Sequence, residues 1–314
     1  MIDLRGKRIL VTGSEGFLGG TLVGELARRG CQTVLVSSRR DYDLLHAADV
    51  RRLMRDTKPQ IVFHLAARIG GIGANVRNPG TFLYENAIMG VQLMEEARLS
   101  GVEKFITAGT VCSYPKDTPV PFREDSLWEG YPEATNAPYG IAKKLLLAQG
   151  QAYRAEFGFD AIHLLCVNLF GPGDKFDPQT SHVIPAMIRR FDEAIRDGRQ
   201  CVVHWGDGTP TREFLYVSDA AEAFVLAAER LSQPAPVNIG SGIEVSMGAL
   251  AQNIGALMGY RGEHRWDASK PNGQPRRCLD TTRAKELFGF EAHTDFGEGL
   301  RKTVDWYRAN RPLR

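Results

Sequence analysis

The chain has 314 residues, enough for one large or two modest domains with a substantial core. Its 39 basic and 37 acidic residues nearly cancel, to a formal net charge of +2, which excludes a general electrostatic pull toward nucleic acid or a membrane surface. The five cysteines (Cys31, Cys112, Cys166, Cys201 and Cys278) are odd in number, scattered and without a CxxC pair. The sequence therefore predicts reduced thiols in a cytoplasm, with no disulfide framework and no metal site. It shows neither an apolar signal-peptide core at its start nor an apolar stretch long enough for a bilayer.

Arg8 to Thr12 is a short apolar run, the pattern of a buried parallel strand. It leads into the GxxGxxG turn Gly13, Ser14, Glu15, Gly16, Phe17, Leu18 and Gly19, after which Thr21 to Arg29 is patterned as an amphipathic helix. Strand, glycine turn and helix in this order suit a dinucleotide, because the bare backbone can approach a pyrophosphate at the helix N-terminus. A second strand, Thr33 to Val36, ends in Ser37, Ser38, Arg39 and Arg40. An acidic residue here would hold a ribose 2′-hydroxyl, whereas arginine suits a 2′-phosphate, so the cofactor expected is NADP(H) rather than NAD. Glu15 stands in the phosphate turn as an opposing charge.

A helix is expected over Ala47 to Asp56, and a third strand from Ile61 to Ala67, whose small Ala66 and Ala67 leave room for a cofactor. A long helix follows from Pro79 to Ser100, then a fourth strand from Lys104 to Ala108 running into Thr110 and Cys112. If the extended backbone continues, Thr110 and Cys112 project from one side, and the threonine hydroxyl is placed to hydrogen-bond a carbonyl. From Pro138 to about Phe157 the pattern is helical again, with Tyr139 and Lys143 four apart on one face. An ammonium beside a phenol favours its ionised form, and the pair becomes a proton donor and acceptor.

Ala161 to Val167 closes a run of alternating strands and helices, the signature of a parallel α/β sheet. The expected architecture is a Rossmann-type doubly wound parallel sheet with a smaller C-terminal α/β domain. Residues 1–170 plus about 214–241 would form the NADP-binding domain, and about 171–213 plus 242–314 the substrate domain. Phe214 to Leu231 is expected as a helix and Pro236 to Ile239 as a last strand of the main sheet. The polar stretch Asp267 to Gly273 (which includes Lys270 and Pro271) and the pair Arg276 and Arg277 suit a loop over an anionic ligand, or a solvated loop.

With these residues placed, the chain resembles the extended short-chain dehydrogenase/reductase superfamily. Within it, the chain is most similar to the branch that epimerises and reduces GDP-4-keto-6-deoxy sugars. The glycine turn and the Tyr139–Lys143 pair are shared across that superfamily. The narrower matches are Ile69 to Ile72, Cys112 to Lys116, Thr135 to Tyr139, Ser181 to Ala186, Arg189 to Phe191, Thr209 to Phe214 and Asp267 to Pro271.

The resemblance implies Cys112 as base and His182 as acid for epimerisation at C3 and C5, which a C4 ketone acidifies. It implies reduction at C4 with Tyr139 as proton donor, Lys143 holding the tyrosine and the nicotinamide ribose, and Thr110 polarising the carbonyl, where the family carries serine. His182 is expected to touch the cofactor as well. Asn168, Arg190, Trp205, Arg212 and Lys270 are the residues implied for holding the nucleotide sugar, and a homodimer is the implied assembly. Three functions stand at this point. The first is a bifunctional epimerase/reductase giving GDP-L-fucose. The second is an enzyme with one of the two activities on a related GDP-keto-sugar such as a heptose. The third is a non-catalytic NADP sensor.

Overall fold

Burial on both faces is what turns the apolar runs into parallel strands, and Ile9, Leu10, Val11, Ile61, Val62, Phe63, Phe105 and Ile106 are all fully buried. The computed structural model describes residues 1–178, 181–270 and 272–311. Its strands are β1 (Arg8–Thr12), β2 (Thr33–Ser37), β3 (Ile61–His64), β4 (Lys104–Thr110), β5 (Ala161–Cys166) and β6 (Asn168–Phe170), then β7 (Cys201–Trp205), β8 (Thr211–Tyr216), β9 (Val237–Ile239), β10 (Glu244–Ser246) and β11 (Glu263–Asp267). The helices are α1 (Phe17–Arg28), α2 (Ala47–Thr57), α3 (Ile72–Arg77), α4 (Pro79–Leu99) and α5 (Ala137–Phe157), then α6 (Val183–Arg196), α7 (Val217–Arg230), α8 (Met247–Met258), α9 (Thr282–Phe288) and α10 (Phe296–Asn310).

The main sheet is six-stranded in the order β2-β1-β3-β4-β5-β9, and every pairing in it is parallel. The chain winds outward from β1 to β2, then crosses back over β1 to β3, so the strand order reverses at β1 and β3. In open α/β sheets such a reversal opens a crevice at the carboxyl ends of the strands, the usual seat of a ligand. Register brings the relevant ends together: Thr12 lies opposite both Ser37 and His64, so the glycine turn, the Ser38–Arg40 turn and Leu65–Ala66 leave the sheet side by side.

Two smaller sheets carry the later elements. In one, β8 pairs parallel with β6 and antiparallel with β10, and in the other β7 and β11 run parallel. A separate apolar cluster lies under these elements, built on Ile188, Phe191, Leu250, Ile254 and Leu300. As expected, α7 and β9 return the chain to the main sheet, yet the start of that stretch differs. Residues up to Tyr216 are strand, and the helix begins at Val217. Phe214 and Leu215 are buried against the two clusters on opposite sides, the period-2 burial of a strand rather than the 3.6 period of a helix. The third strand likewise stops at His64, three residues short of the expected Ala67, where the backbone opens to the crevice.

Helix α1 starts at Gly16 with no side-chain cap, so its first N–H groups point unpaired into the glycine turn. The turn closes tightly, with Gly16 N donating to Gly13 O at 2.9 Å, and a Cβ on Gly19 would sit 2.0 Å from Gly13 O. Gly19→Ala is therefore expected to cost ~2 kcal/mol or more and to abolish dinucleotide binding. In contrast, the exposed Gly20→Ala is expected to hold or gain stability, by up to ~1 kcal/mol. Urea midpoints of the two variants test this, and equal midpoints would sink it.

Candidate active site

The chemistry-bearing residues gather where β4 ends against the start of α5. Strand β4 stops at Thr110, and Val111–Ser113 forms a single 3-10 turn instead of continuing extended. The same-side projection expected for Thr110 and Cys112 is thereby replaced by a closer relation, in which Cys112 N donates to Thr110 Oγ1 at 3.2 Å. The threonine oxygen accepts this bond and keeps its own proton free to donate to a carbonyl.

Helix α5 is pressed onto this turn. A Cβ on Gly140 would sit 2.3 Å from Cys112 O, and Ser113 Oγ donates to Gly140 O at 3.0 Å. Only a residue without a side chain allows that approach. It brings Tyr139, the neighbour of Gly140, into electrostatic contact with Cys112.

Tyr139 and Lys143 share a helix face, with Lys143 Nζ 6.0 Å from the Tyr139 ring centroid and lying over the ring. Burial pushes the phenol well above its ordinary value, helped by Cys112 and Cys166, and pushes Lys143 down to about 8. The free protein thus differs from the simple picture of an ammonium ionising a phenol. Removal from water dominates, and it keeps Tyr139 protonated, the form that can donate to an alkoxide. Beside them, burial also holds His64 and His163 neutral, each down to about 3, with their Nδ1 atoms on Thr12 and Thr107 at 2.9 and 2.7 Å.

On the cofactor side, Gly13, Gly16, Phe17, Leu18 and Gly19 form the turn at the uncapped α1 N-terminus, while half-buried Ala66 and Ala67 follow β3 along the same crevice. Arg39 and Arg40 are exposed at the end of β2; Arg39 meets Asp43 at 3.4 Å, and Arg40 has no ion pair among the described residues. Glu15 is exposed to solvent, which screens its charge. An uncapped helix start for a pyrophosphate and an unpaired arginine for a 2′-phosphate fit NADP(H).

Strand β8 and the segment before Leu279 bring two guanidinium groups within electrostatic reach of Cys112. Arg277 Nη1 donates toward Cys112 Sγ at 3.7 Å. Burial, and after it the neighbouring Arg277, lower Arg212 to about 10, while Cys112 opposes both. The sequence marked Arg277 only as part of a basic loop; its place at the sulfur depends on a contact across 165 positions.

Of the other expected ligand-holding residues, Asn168 donates from Nδ2 to Glu213 O at 3.3 Å, next to Arg212. Trp205 is 66% exposed at the end of β7, opposite Asp267 at the start of the loop that carries Lys270. Asn272 ties the two loops, accepting from Asp207 N at 3.0 Å, and a Cβ on Gly273 would sit 3.3 Å from Arg212 Nη2. Trp205, Lys270 and Arg212 therefore border one loop, whereas Arg190 lies lower on α6, donating to Val203 O at 3.2 Å. Pro271, within that loop, is outside the described residues. Among the described residues, no cluster of metal-ligating side chains occurs.

These features are those of a nucleotide-binding oxidoreductase or epimerase, and the chain belongs to the NAD dependent epimerase/dehydratase family, which it matches over residues 9–240. It is 39% identical over 310 residues to a GDP-L-fucose synthase of Sinorhizobium fredii (strain NBRC 101917 / NGR234), covering 99% of this chain and 98% of that protein. It is also 39% identical to GDP-L-fucose synthase 1 of Arabidopsis thaliana, over 98% of this chain and 94% of that protein. The crystal structure of a GDP-L-fucose synthetase from Naegleria fowleri bound to NADP superposes with a TM-score of 0.90 at 27% identity, covering 99% of this chain and 95% of that one.

His182 sits at the N-cap of α6, half-buried. Burial lowers its pKa below the ordinary 6.5, and the Lys175 ammonium lowers it further. Its imidazolium consequently loses its proton at lower pH than a solvated histidine. Lys175→Met is expected to raise the His182 pKa by roughly half a unit, read as its imidazole NMR titration. An unmoved or lower midpoint would show that the lysine is not felt there.

Proposed function

We propose that this chain is an NADPH-dependent epimerase/reductase of a GDP-4-keto-6-deoxy-hexose, yielding GDP-L-fucose. The observation that carries the reading is Cys112 on the turn that follows Thr110, its backbone bonded to the Thr110 hydroxyl and its thiol close enough to act electrostatically on Tyr139: a simple ketoreductase needs the hydroxyls and the lysine but no such thiol. The names of its curated relatives supply the sugar.

A ketone at C4 makes the hydrogens at C3 and C5 acidic enough for a side-chain base. Cys112 takes the proton on one face of the ring, and His182 returns one on the other. Bound NADPH supplies hydride to C4. Thr110 Oγ1 donates to the C4 oxygen, Tyr139 gives it the phenolic proton, and Lys143, at about 8 and still mostly ammonium at pH 7, restores that proton. The N-terminal lobe, 1–170 plus about 214–241, takes the dinucleotide at Gly13–Gly19, Arg39, Arg40, Ala66 and Ala67, with His182 reaching it from the other lobe. Residues 171–213 plus 242–314 hold the nucleotide sugar through Asn168 (at the border of the lobes), Arg190, Trp205, Arg212 and Lys270, the cations meeting the diphosphate.

A homodimer through the outer faces of α4 and α5 is part of the same proposal, and Leu83, Tyr84, Leu99, Leu145 and Phe157 are exposed there. Among the described residues, no helix is long and apolar enough to cross a membrane. The five unpaired cysteines suit a reducing cytoplasm.

Mixing the protein with GDP-4-keto-6-deoxy-D-mannose and NADPH is expected to oxidise the cofactor and give GDP-L-fucose by NMR. No oxidation at micromolar enzyme would overturn the substrate assignment. Tyr139→Phe is expected to slow reduction by roughly 10²- to 10⁴-fold with NADPH affinity nearly unchanged. Cys112→Ser is expected to stop exchange of the C3 and C5 hydrogens with solvent deuterium while some direct C4 reduction survives. Equal loss of both activities in Cys112→Ser would refute that division of labour.

A further inference from the structure

The Cys112 sulfur faces a cation that no carboxylate among the described residues claims. Arg277 Nη1 points at Sγ from 3.7 Å, while its Nε and Nη2 both donate to Gln274 Oε1, at 3.1 and 2.9 Å. Gln274 is anchored in turn, its Nε2 donating to Lys116 O at 2.6 Å, and the Arg277 backbone carbonyl accepts from Glu213 N at 3.1 Å. Lys116 lies four residues beyond Cys112, so the clamp joins the turn that carries the thiol to the segment that carries the guanidinium. The adjacent Arg276 behaves differently: it is exposed, and its guanidinium is paired with Glu244 at 2.5 Å. A neutral amide as anchor leaves the whole positive charge of Arg277 available to the sulfur, where a carboxylate would cancel it.

We propose that Arg277, oriented by Gln274, is the positioning residue that keeps Cys112 in its thiolate form for carbon-acid chemistry. This rests on the reading of Cys112 as the epimerisation base. An ordinary thiol is only a few per cent thiolate at pH ~7, and the neutral form cannot accept the proton on carbon. With the thiolate present, an S–H bond forms as the C–H bond breaks, and the electron pair of that bond becomes the enolate of the C4 ketone. The charged and titratable groups felt at the sulfur are Arg277, Arg212 and the Tyr139 phenol. Both cations favour the anion, and Arg277 is the one in contact.

The test is the pH dependence of iodoacetamide alkylation at Cys112, followed on its own peptide by mass spectrometry in the full-length protein. Arg277→Met is expected to raise the inflection by about one pH unit, and Arg277→Lys, which keeps a charge without the fork, by roughly half as much. Gln274→Glu retains the guanidinium but pairs it, and is expected to raise the inflection as well, which keeps the proposal testable if Arg277→Met does not fold. Solvent-deuterium exchange into the keto sugar is expected to fall about tenfold at pH 7 in Arg277→Met and to recover toward pH ~9, where the thiol ionises unaided. An inflection unmoved in Arg277→Met and Gln274→Glu, with only KM for the GDP-sugar raised, would overturn the proposal and make Arg277 a diphosphate ligand. If Cys112→Ser retained exchange, the base assignment would fail by itself, and the alkylation profile would still decide whether Arg277 governs the thiol.

Discussion

The contact on which the rest of the site depends is the seating of α5 against the Val111–Ser113 turn. Gly140 lies so close to the Cys112 carbonyl that no side chain fits between them, and the Ser113 hydroxyl bridges to the Gly140 carbonyl. The proposed proton-transfer pair Tyr139 and Lys143 belongs to the helix, and Thr110 and Cys112 belong to the strand end and the turn after it. A shift of about one ångström at this seam would separate the two halves of the chemistry, a displacement that costs enzymes orders of magnitude in rate.

Burial is the second constraint, and it acts on the titratable groups in opposite directions. Lys143 is 2% exposed and is brought down to about 8, the Tyr139 phenol is driven up, and His64 and His163 are kept neutral. The outcome is a pocket with one buried cation, a protonated phenol and no competing charge from the two imidazoles. Such an environment favours proton donation to an oxyanion over proton removal, which is the direction a reductase requires.

A buried carboxylate ties together three segments of the later chain. Glu213, 1% exposed on β8, accepts from Gly242 N and Leu279 N at 2.7 Å each, so its charge is satisfied by backbone donors rather than by a cation. That knot fixes the strand that carries Arg212 relative to the segment that carries Arg277. Both guanidinium groups are consequently held near Cys112 by β8 and the segment before Leu279, although the thiol itself sits on the turn that follows β4 of the main sheet. The candidate site exists only where these elements meet.

How much of this the amino-acid order determined by itself follows from how local each signal is. The strand, glycine turn and helix of residues 8–28, the alternation of strands and helices to Cys166, and the Tyr139–Lys143 spacing are short-range patterns, and each appears in the fold close to where periodicity puts it. At Phe214–Tyr216 the expected helix is a strand, in a run too short and too apolar for periodicity to separate the two. The sulfur's neighbours were not legible, because Arg277 reaches Cys112 across 165 positions and through a neutral glutamine that has no motif of its own. Nor was the balance at Tyr139, since spacing reports which groups are near and not how far they are from water. Local order fixed which chemical groups this protein carries; tertiary packing decided their protonation and their partners, because desolvation and long-range contact exist only once the chain has closed on itself.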